Sequence, residues 1–168
     1  MSPEEAIQTA IQYETRIRDL YRQSAEGSRD PAGRKVFGAL AADEQRHVDY
    51  LEHKRTQWRQ TGRIDAEGLE ARLPSGEAIA RSMEAMKGPM SREDRSDEKR
   101  MLGKALQVEV ETSRFYERMV AEMPSGARDL FARFLEIENG HIAVVQAELD
   151  YLSHNGYWFD FQEFDMEY

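Results

Sequence analysis

Apolar residues recur at three- and four-residue steps along four long stretches of the chain, the period of a helix with one buried face. In the first, over about residues 3–26, Ile7, Ala10, Ile17 and Tyr21 share that face with Glu14. In the second, about 31–60, the face reads Phe37, Leu40, Ala41, Glu44, His47, Val48 and Leu51. The third, about 97–123, carries Leu102, Ala105, Leu106, Glu109, Thr112, Tyr116 and Met119. The fourth, about 127–154, carries Phe131, Phe134, Leu135, Glu138, His141, Ile142, Val145, Leu149 and Leu152. The ends are signalled as well. Ser2-Pro3-Glu4-Glu5 has the form of a capping box, and Asp30-Pro31 opens the second helix. Gly27-Ser28, Gly62, Pro124-Ser125-Gly126 and Asn155-Gly156 stop the helices. Short links at both Gly27-Ser28 and Pro124-Ser125-Gly126 make two helical hairpins. The stretch of about 61–95 between them, punctuated by Gly62, Gly68, Pro74, Gly76, Gly88 and Pro89, reads as a long crossover with a short helix over about 76–86. The expected fold is all-α: an antiparallel four-helix bundle over residues 1–156 with that crossover between helices 2 and 3.

The two hairpins are copies of one another. Glu44-Gln45-Arg46-His47 answers to Glu138-Asn139-Gly140-His141, and the lead-ins Phe37 and Leu40 answer to Phe131 and Phe134. Upstream, Ala10 to Glu14 with Leu20-Tyr21 answers to Ala105 to Glu109 with Phe115-Tyr116. Each copy thus supplies one lone Glu and one Glu-x-x-His, whose two side chains face one point on a helix. All six lie within apolar stripes. Four ionised carboxylates there would be very costly without compensating cations. Glu14, Glu44, His47, Glu109, Glu138 and His141 are therefore candidate ligands for two metal ions, and through the metal the candidate catalytic residues. Oxygen and imidazole donors suit iron or manganese, and this arrangement of donors is the di-iron carboxylate pattern of four-helix bundles.

Neighbouring residues are read more openly. Tyr21 and Tyr116 each follow the lone Glu of their helix by about two turns, which fits either a phenol hydrogen bonded to a ligating carboxylate or an ordinary core tyrosine. Asp43 and Arg46 flank the first motif and either orient ligands or face water. Glu111, Glu136, His53 and His154 are expected at the surface.

Composition narrows the chemistry. The absence of cysteine excludes disulfides, thiolate metal sites and cysteine-ligated iron–sulfur clusters, and neither haem nor flavin is expected. The net charge of −9 argues against nucleic acid and anionic membranes as partners. No apolar stretch suits a signal or a membrane span, so the expected compartment is the cytoplasm. The last stretch, 157–168, is acidic and rich in aromatics from Tyr157-Trp158-Phe159 to Tyr168. It reads as a strap on its own bundle or on a dimer mate, or else as a docking peptide for a partner.

The two lone glutamates and the paired Glu-x-x-His motifs resemble those of the rubrerythrin-like branch of the ferritin-like superfamily, over the four helices. The resemblance implies a ferritin-like bundle with a central di-iron site held by the six residues named above. It also implies redox chemistry: reduction of peroxide or oxidation of ferrous iron, with dioxygen as another oxidant, in the setting of oxidative stress. The chain departs from the family in two places. It has no rubredoxin-like domain, which implies an external electron-donor protein. Thr112 also stands where rubrerythrins look to carry an extra carboxylate, one turn past the lone Glu of the third helix. The expected assembly is a homodimer. The alternative function is a non-catalytic iron-binding or docking protein acting through the aromatic tail.

Overall fold

The computed structural model describes residues 1–73, 78, 81, 94–159 and 161. Among them are four helices and no strand: α1 (Pro3–Gly27), α2 (Pro31–Thr61), α3 (Ser96–Glu122) and α4 (Ser125–Asn155). Most of the short helix expected over 76–86, and the tail beyond residue 161, lie outside the described residues.

Local chemistry sets the helix ends. The Ser2 hydroxyl accepts from the Glu5 amide while the Glu5 carboxylate accepts from the Ser2 amide, closing the capping box. The Asp30 carboxylate caps α2 through the Ala32 amide, and Pro31 follows it in the first turn. Gly62 and Gly156 end α2 and α4 in the left-handed region, at φ 65° and 72°. One boundary differs from the reading of the sequence. The whole of Pro124-Ser125-Gly126 was expected to be a break, yet α4 begins at Ser125 with Pro124 as its N-cap. Proline interrupts a helix from within but is compatible with its start. Gly126 is needed for a second reason: a Cβ there would sit 2.6 Å from the Ile64 carbonyl oxygen.

α1 packs chiefly on α2 and α3 on α4, and the two hairpins meet most closely along α1 and α3. The apolar core is divided in two. One cluster gathers Ile17 and Tyr21 of α1, Phe37 and Leu40 of α2, Leu102 and Ala105 of α3, and Val144, Val145 and Leu152 of α4. The other gathers Ile7 and Ala10, Leu51, Phe115 and Met119, and Leu130, Phe131 and Phe134 from the same helices in turn. Between them lies a layer of fully buried polar residues: Glu14, Glu44, Glu109 and Glu138, with His47 and His141. Apolar burial at about 1.5–3 kcal/mol for each large side chain on either side lets the fold carry this layer.

The exits of the two hairpins mirror each other with opposite charges. Lys54, seven residues after His47, is buried and ion-paired through Nζ with Asp65 Oδ1 at 2.6 Å. Glu148, seven after His141, is buried and accepts from the Phe159 amide at 2.9 Å. The described part of the tail packs on the chain itself: Phe159 and Phe161 are buried in the first cluster, and Trp158 meets Phe37 edge-on at 5.4 Å.

Candidate metal centre

Each helix contributes to the polar layer from its middle. The six residues form two overlapping groups of donors. Glu14, Glu44, His47 and Glu138 make one, and Glu44, Glu109, Glu138 and His141 the other, with the donor atoms of each group within 4.8 Å of one another. Glu44 and Glu138 belong to both. Each imidazole turns Nδ1 toward the carboxylates. His47 Nδ1 lies 3.1 Å from Glu44 Oε2, 3.4 Å from Glu14 Oε2 and 3.8 Å from Glu138 Oε1. His141 Nδ1 lies 2.5 Å from Glu44 Oε1 and 3.5 Å from Glu109 Oε1. The two rings are stacked, 5.3 Å apart and within 19° of parallel.

Charge is badly matched here in the absence of a cation. Among the described residues, Glu14 Oε2, Glu44 Oε1, Glu109 Oε2, both oxygens of Glu138 and His141 Nδ1 have no hydrogen-bond partner of good geometry. Burial raises Glu44, to about 8, with Glu14 and Glu109 adding to the rise and His141 opposing it. Burial pushes Glu138 well above the carboxylate range, helped by the charges of Glu14, Glu44 and Glu109. Burial also works to raise Glu14, but hydrogen bonds with Glu44 and His47 win and bring it to about 2. His47 is lifted to about 10 by Glu14 and Glu44 against the pull of burial, and His141 is lifted likewise by Glu44, Asp43 and Glu109. Glu44 and Glu138 are thus pushed toward their neutral form, and both imidazoles toward their charged form. A buried, convergent set of oxygen and nitrogen donors that must protonate to coexist is a set that fits divalent cations.

The tyrosines reach across the bundle. Tyr21 of α1 donates to Glu109 Oε1 of α3, and Tyr116 of α3 donates to Glu14 Oε1 of α1, each at 2.5 Å. Helical side chains lean toward the N-terminus of their own helix, so each phenol points back to the layer and meets the facing helix there. Burial, then the charges of the carboxylates, hold both phenols far above their ordinary range, so they stay donors. Thr112 behaves otherwise: it is buried, and its hydroxyl donates to the Val108 carbonyl at 2.8 Å.

Asp43 is the residue whose role the sequence left open. It is only 2% exposed, and its Oδ2 lies 2.7 Å from His141 Nε2 and 3.6 Å from His47 Nε2. Arg46 Nη2 donates to its Oδ1 at 2.5 Å. Burial opposes ionisation of Asp43, but the hydrogen bond to His141 and the charges of both imidazoles hold it well below the usual range. The position four residues before His47 was the available signal, since such residues share a helix face. Glu111 and Glu136 pair with Arg16 and Arg133 at the surface, away from the layer, and His53 and His154 are exposed.

No family model, curated protein or solved structure matches this chain. No helix among the described residues is long and apolar enough to cross a membrane.

Proposed function

We propose that the chain is a rubrerythrin-like, ferritin-like di-iron protein that uses a carboxylate- and histidine-bound metal pair for redox chemistry on peroxide, or for oxidation of ferrous iron. The observation that carries this reading is the overlap of two four-residue donor groups through Glu44 and Glu138, fully buried in one layer. A ferritin-like arrangement is supported by where the helices begin and end. α1 and α4 run from the second cluster to the first, and α2 and α3 run the other way. Ile64 and Leu69 belong to the second cluster and Leu73 packs against the first, as a crossover running back along the bundle would require.

In this reading Glu14, Glu44, His47 and Glu138 would hold one ion, and Glu44, Glu109, Glu138 and His141 the other. Two ferrous ions held there would supply the two electrons that take hydrogen peroxide to water. The protein's own part is positional. The phenols of Tyr21 and Tyr116 each occupy one oxygen of Glu109 and Glu14, fixing the outer carboxylates. Asp43 holds the Nε2 edge of His141, which leaves Nδ1 directed at the layer. Apolar clusters on both sides exclude bulk water. Electrons returning to the centre would come from a donor outside these 168 residues, which hold no cysteine to ligate a second iron centre. A homodimer is part of the same proposal.

The test is anaerobic loading of the metal-free protein with ferrous ion, followed by stopped-flow mixing with peroxide or with dioxygen. Two tight equivalents and rapid oxidation by peroxide support the peroxidase form of the reading. Preference for dioxygen with continued turnover of added ferrous ion supports the ferroxidase form. Less than one equivalent bound would remove the dinuclear centre altogether.

A further inference from the structure

We propose that Asp43, His47 and His141 form a separate outer metal site, at which a divalent cation of the iron or manganese class docks before it moves into the layer. The proposal rests on the dinuclear reading and adds a route into it. These three side chains form a donor group of their own, all buried, with ligand atoms within 4.8 Å of one another. Oδ2 of Asp43 faces the Nε2 atoms of His141 and His47 at 2.7 and 3.6 Å. Donors on adjacent positions around an ion with bonds of about 2.1 Å lie roughly 3 Å apart, so the group needs little movement to close on one. Two imidazoles and one carboxylate make a donor set that ferrous ion accepts.

The outer group uses the opposite edge of the same rings. The stacked imidazoles turn Nδ1 toward the four glutamates and Nε2 toward Asp43. An ion held on the Nε2 edges is therefore one ring-width from the layer. On the solvent side, Asp43 is joined to Arg46, whose side chain is 44% exposed. Arg46 binds Oδ1, the oxygen of Asp43 that is turned away from the imidazoles, and so supplies a cationic side chain at the outer edge of the group. Above and below, the two apolar clusters close the layer to an ion.

The strongest pointer is where the internal repeat fails. The six candidate ligands, Tyr21 and Tyr116, and Phe37 and Phe131 occur in both copies, and so does the pairing between neighbouring helices. Arg18 donates to Gln45 in the first hairpin, and Ser113 donates to Asn139 at the matching place in the second. Asp43 and Arg46 have no such counterparts: Ile137 and Gly140 stand in their places. Ile137 is buried in the second apolar cluster. The outer group and its arginine thus exist on one side only, as a single mouth for a two-fold site requires.

Stopped-flow loading of the metal-free, full-length protein with cobalt(II) tests this, with wild type, Arg46→Ala and Asp43→Asn compared. Docking before insertion predicts that the wild-type loading rate saturates with cobalt concentration. Arg46→Ala removes the competing cation and loads roughly tenfold faster. Asp43→Asn loses saturation and loads roughly tenfold more slowly, yet fills to the same two equivalents at high cobalt. An Asp43 that merely orients His141 predicts the reverse for Arg46→Ala, because Asp43 loses its support: loading no faster than wild type. That result, or Asp43→Asn loading at the wild-type rate, would overturn the outer site. Arg46 is half-exposed, so its variant keeps the test decisive even where Asp43→Asn does not fold. Wild type that takes up fewer than two equivalents would refute the dinuclear reading instead, which separates the two failures.

Discussion

Replacing Glu138 with leucine should destroy the metal site and make the metal-free protein more stable. Glu138 is fully buried, and neither of its oxygens has a hydrogen-bond partner among the described residues. Burial and its three neighbouring carboxylates push its own carboxyl well above the usual carboxylate range, which favours the neutral form. The substitution therefore removes no negative charge that the imidazoles need. Each unsatisfied buried oxygen costs about 1–3 kcal/mol. Leucine matches glutamate closely in size and regains some of the burial energy of an apolar side chain. The net gain is about 3 kcal/mol, or roughly 10 °C in Tm for a chain of this length. The assay is thermal and urea unfolding followed by far-UV circular dichroism after exhaustive chelation. With ferrous ion or manganese added, the order inverts, because only the wild type gains binding energy from the ion. A metal-free Glu138→Leu protein less stable than wild type would refute the argument, since it would mean that the carboxyl already has its partners without a cation.

The same geometry fixes further outcomes. Glu109→Gln or Glu14→Gln leaves one donor group whole and should retain one tight ferrous equivalent, whereas Glu44→Gln or Glu138→Gln breaks both and should retain none, as read by equilibrium titration. Stability of the metal-free protein should fall as pH rises. Glu44's contribution is complete below its ordinary 4.5 and gone above about 8, and His47's is complete below 6.5 and gone above about 10. Each group contributes a slope of about 1.4 kcal/mol per pH unit within its window, measurable by urea unfolding, and a flat profile would contradict it. Tyr116→Phe should keep the stacking on Phe131 and Phe134 but strip Glu14 Oε1 of its donor, costing the metal-free protein about 1–3 kcal/mol in the same assay. Gly126→Ala forces a Cβ against the Ile64 carbonyl and should lower stability by about 1–3 kcal/mol without changing metal stoichiometry.

How much of this was legible in the sequence depends on how each residue acts. The four helices were readable because apolar period and caps agree, as at Ser2 and Asp30. The six candidate ligands stood out because the repeat doubles them on apolar faces, and the structure brings all six side chains into one buried layer. The tyrosines were readable only as far as the face they share with Glu14 and Glu109. That Tyr21 serves Glu109 and Tyr116 serves Glu14 depends on how α1 and α3 lie against each other, which no single-helix pattern contains. Asp43 stayed ambiguous because its counterpart in the second copy is Ile137, so the repeat does not mark it. Lys54 and Glu148 went unread because a buried charge is identified by its partner, and those partners, Asp65 and the Phe159 amide, lie in irregular segments. Thr112 was placed correctly within the buried face, but its hydroxyl is spent on its own helix.

The central claim is a metal pair held jointly by Glu44 and Glu138. Its most direct test is a crystal structure of the protein loaded anaerobically with ferrous ion, with anomalous data on both sides of the iron edge. The account predicts two anomalous peaks in the buried layer, one beside Glu14 and His47 and one beside Glu109 and His141, with Glu44 and Glu138 contacting both. A single peak, or iron found only at surface carboxylates while the layer stays protonated and closed, would contradict it.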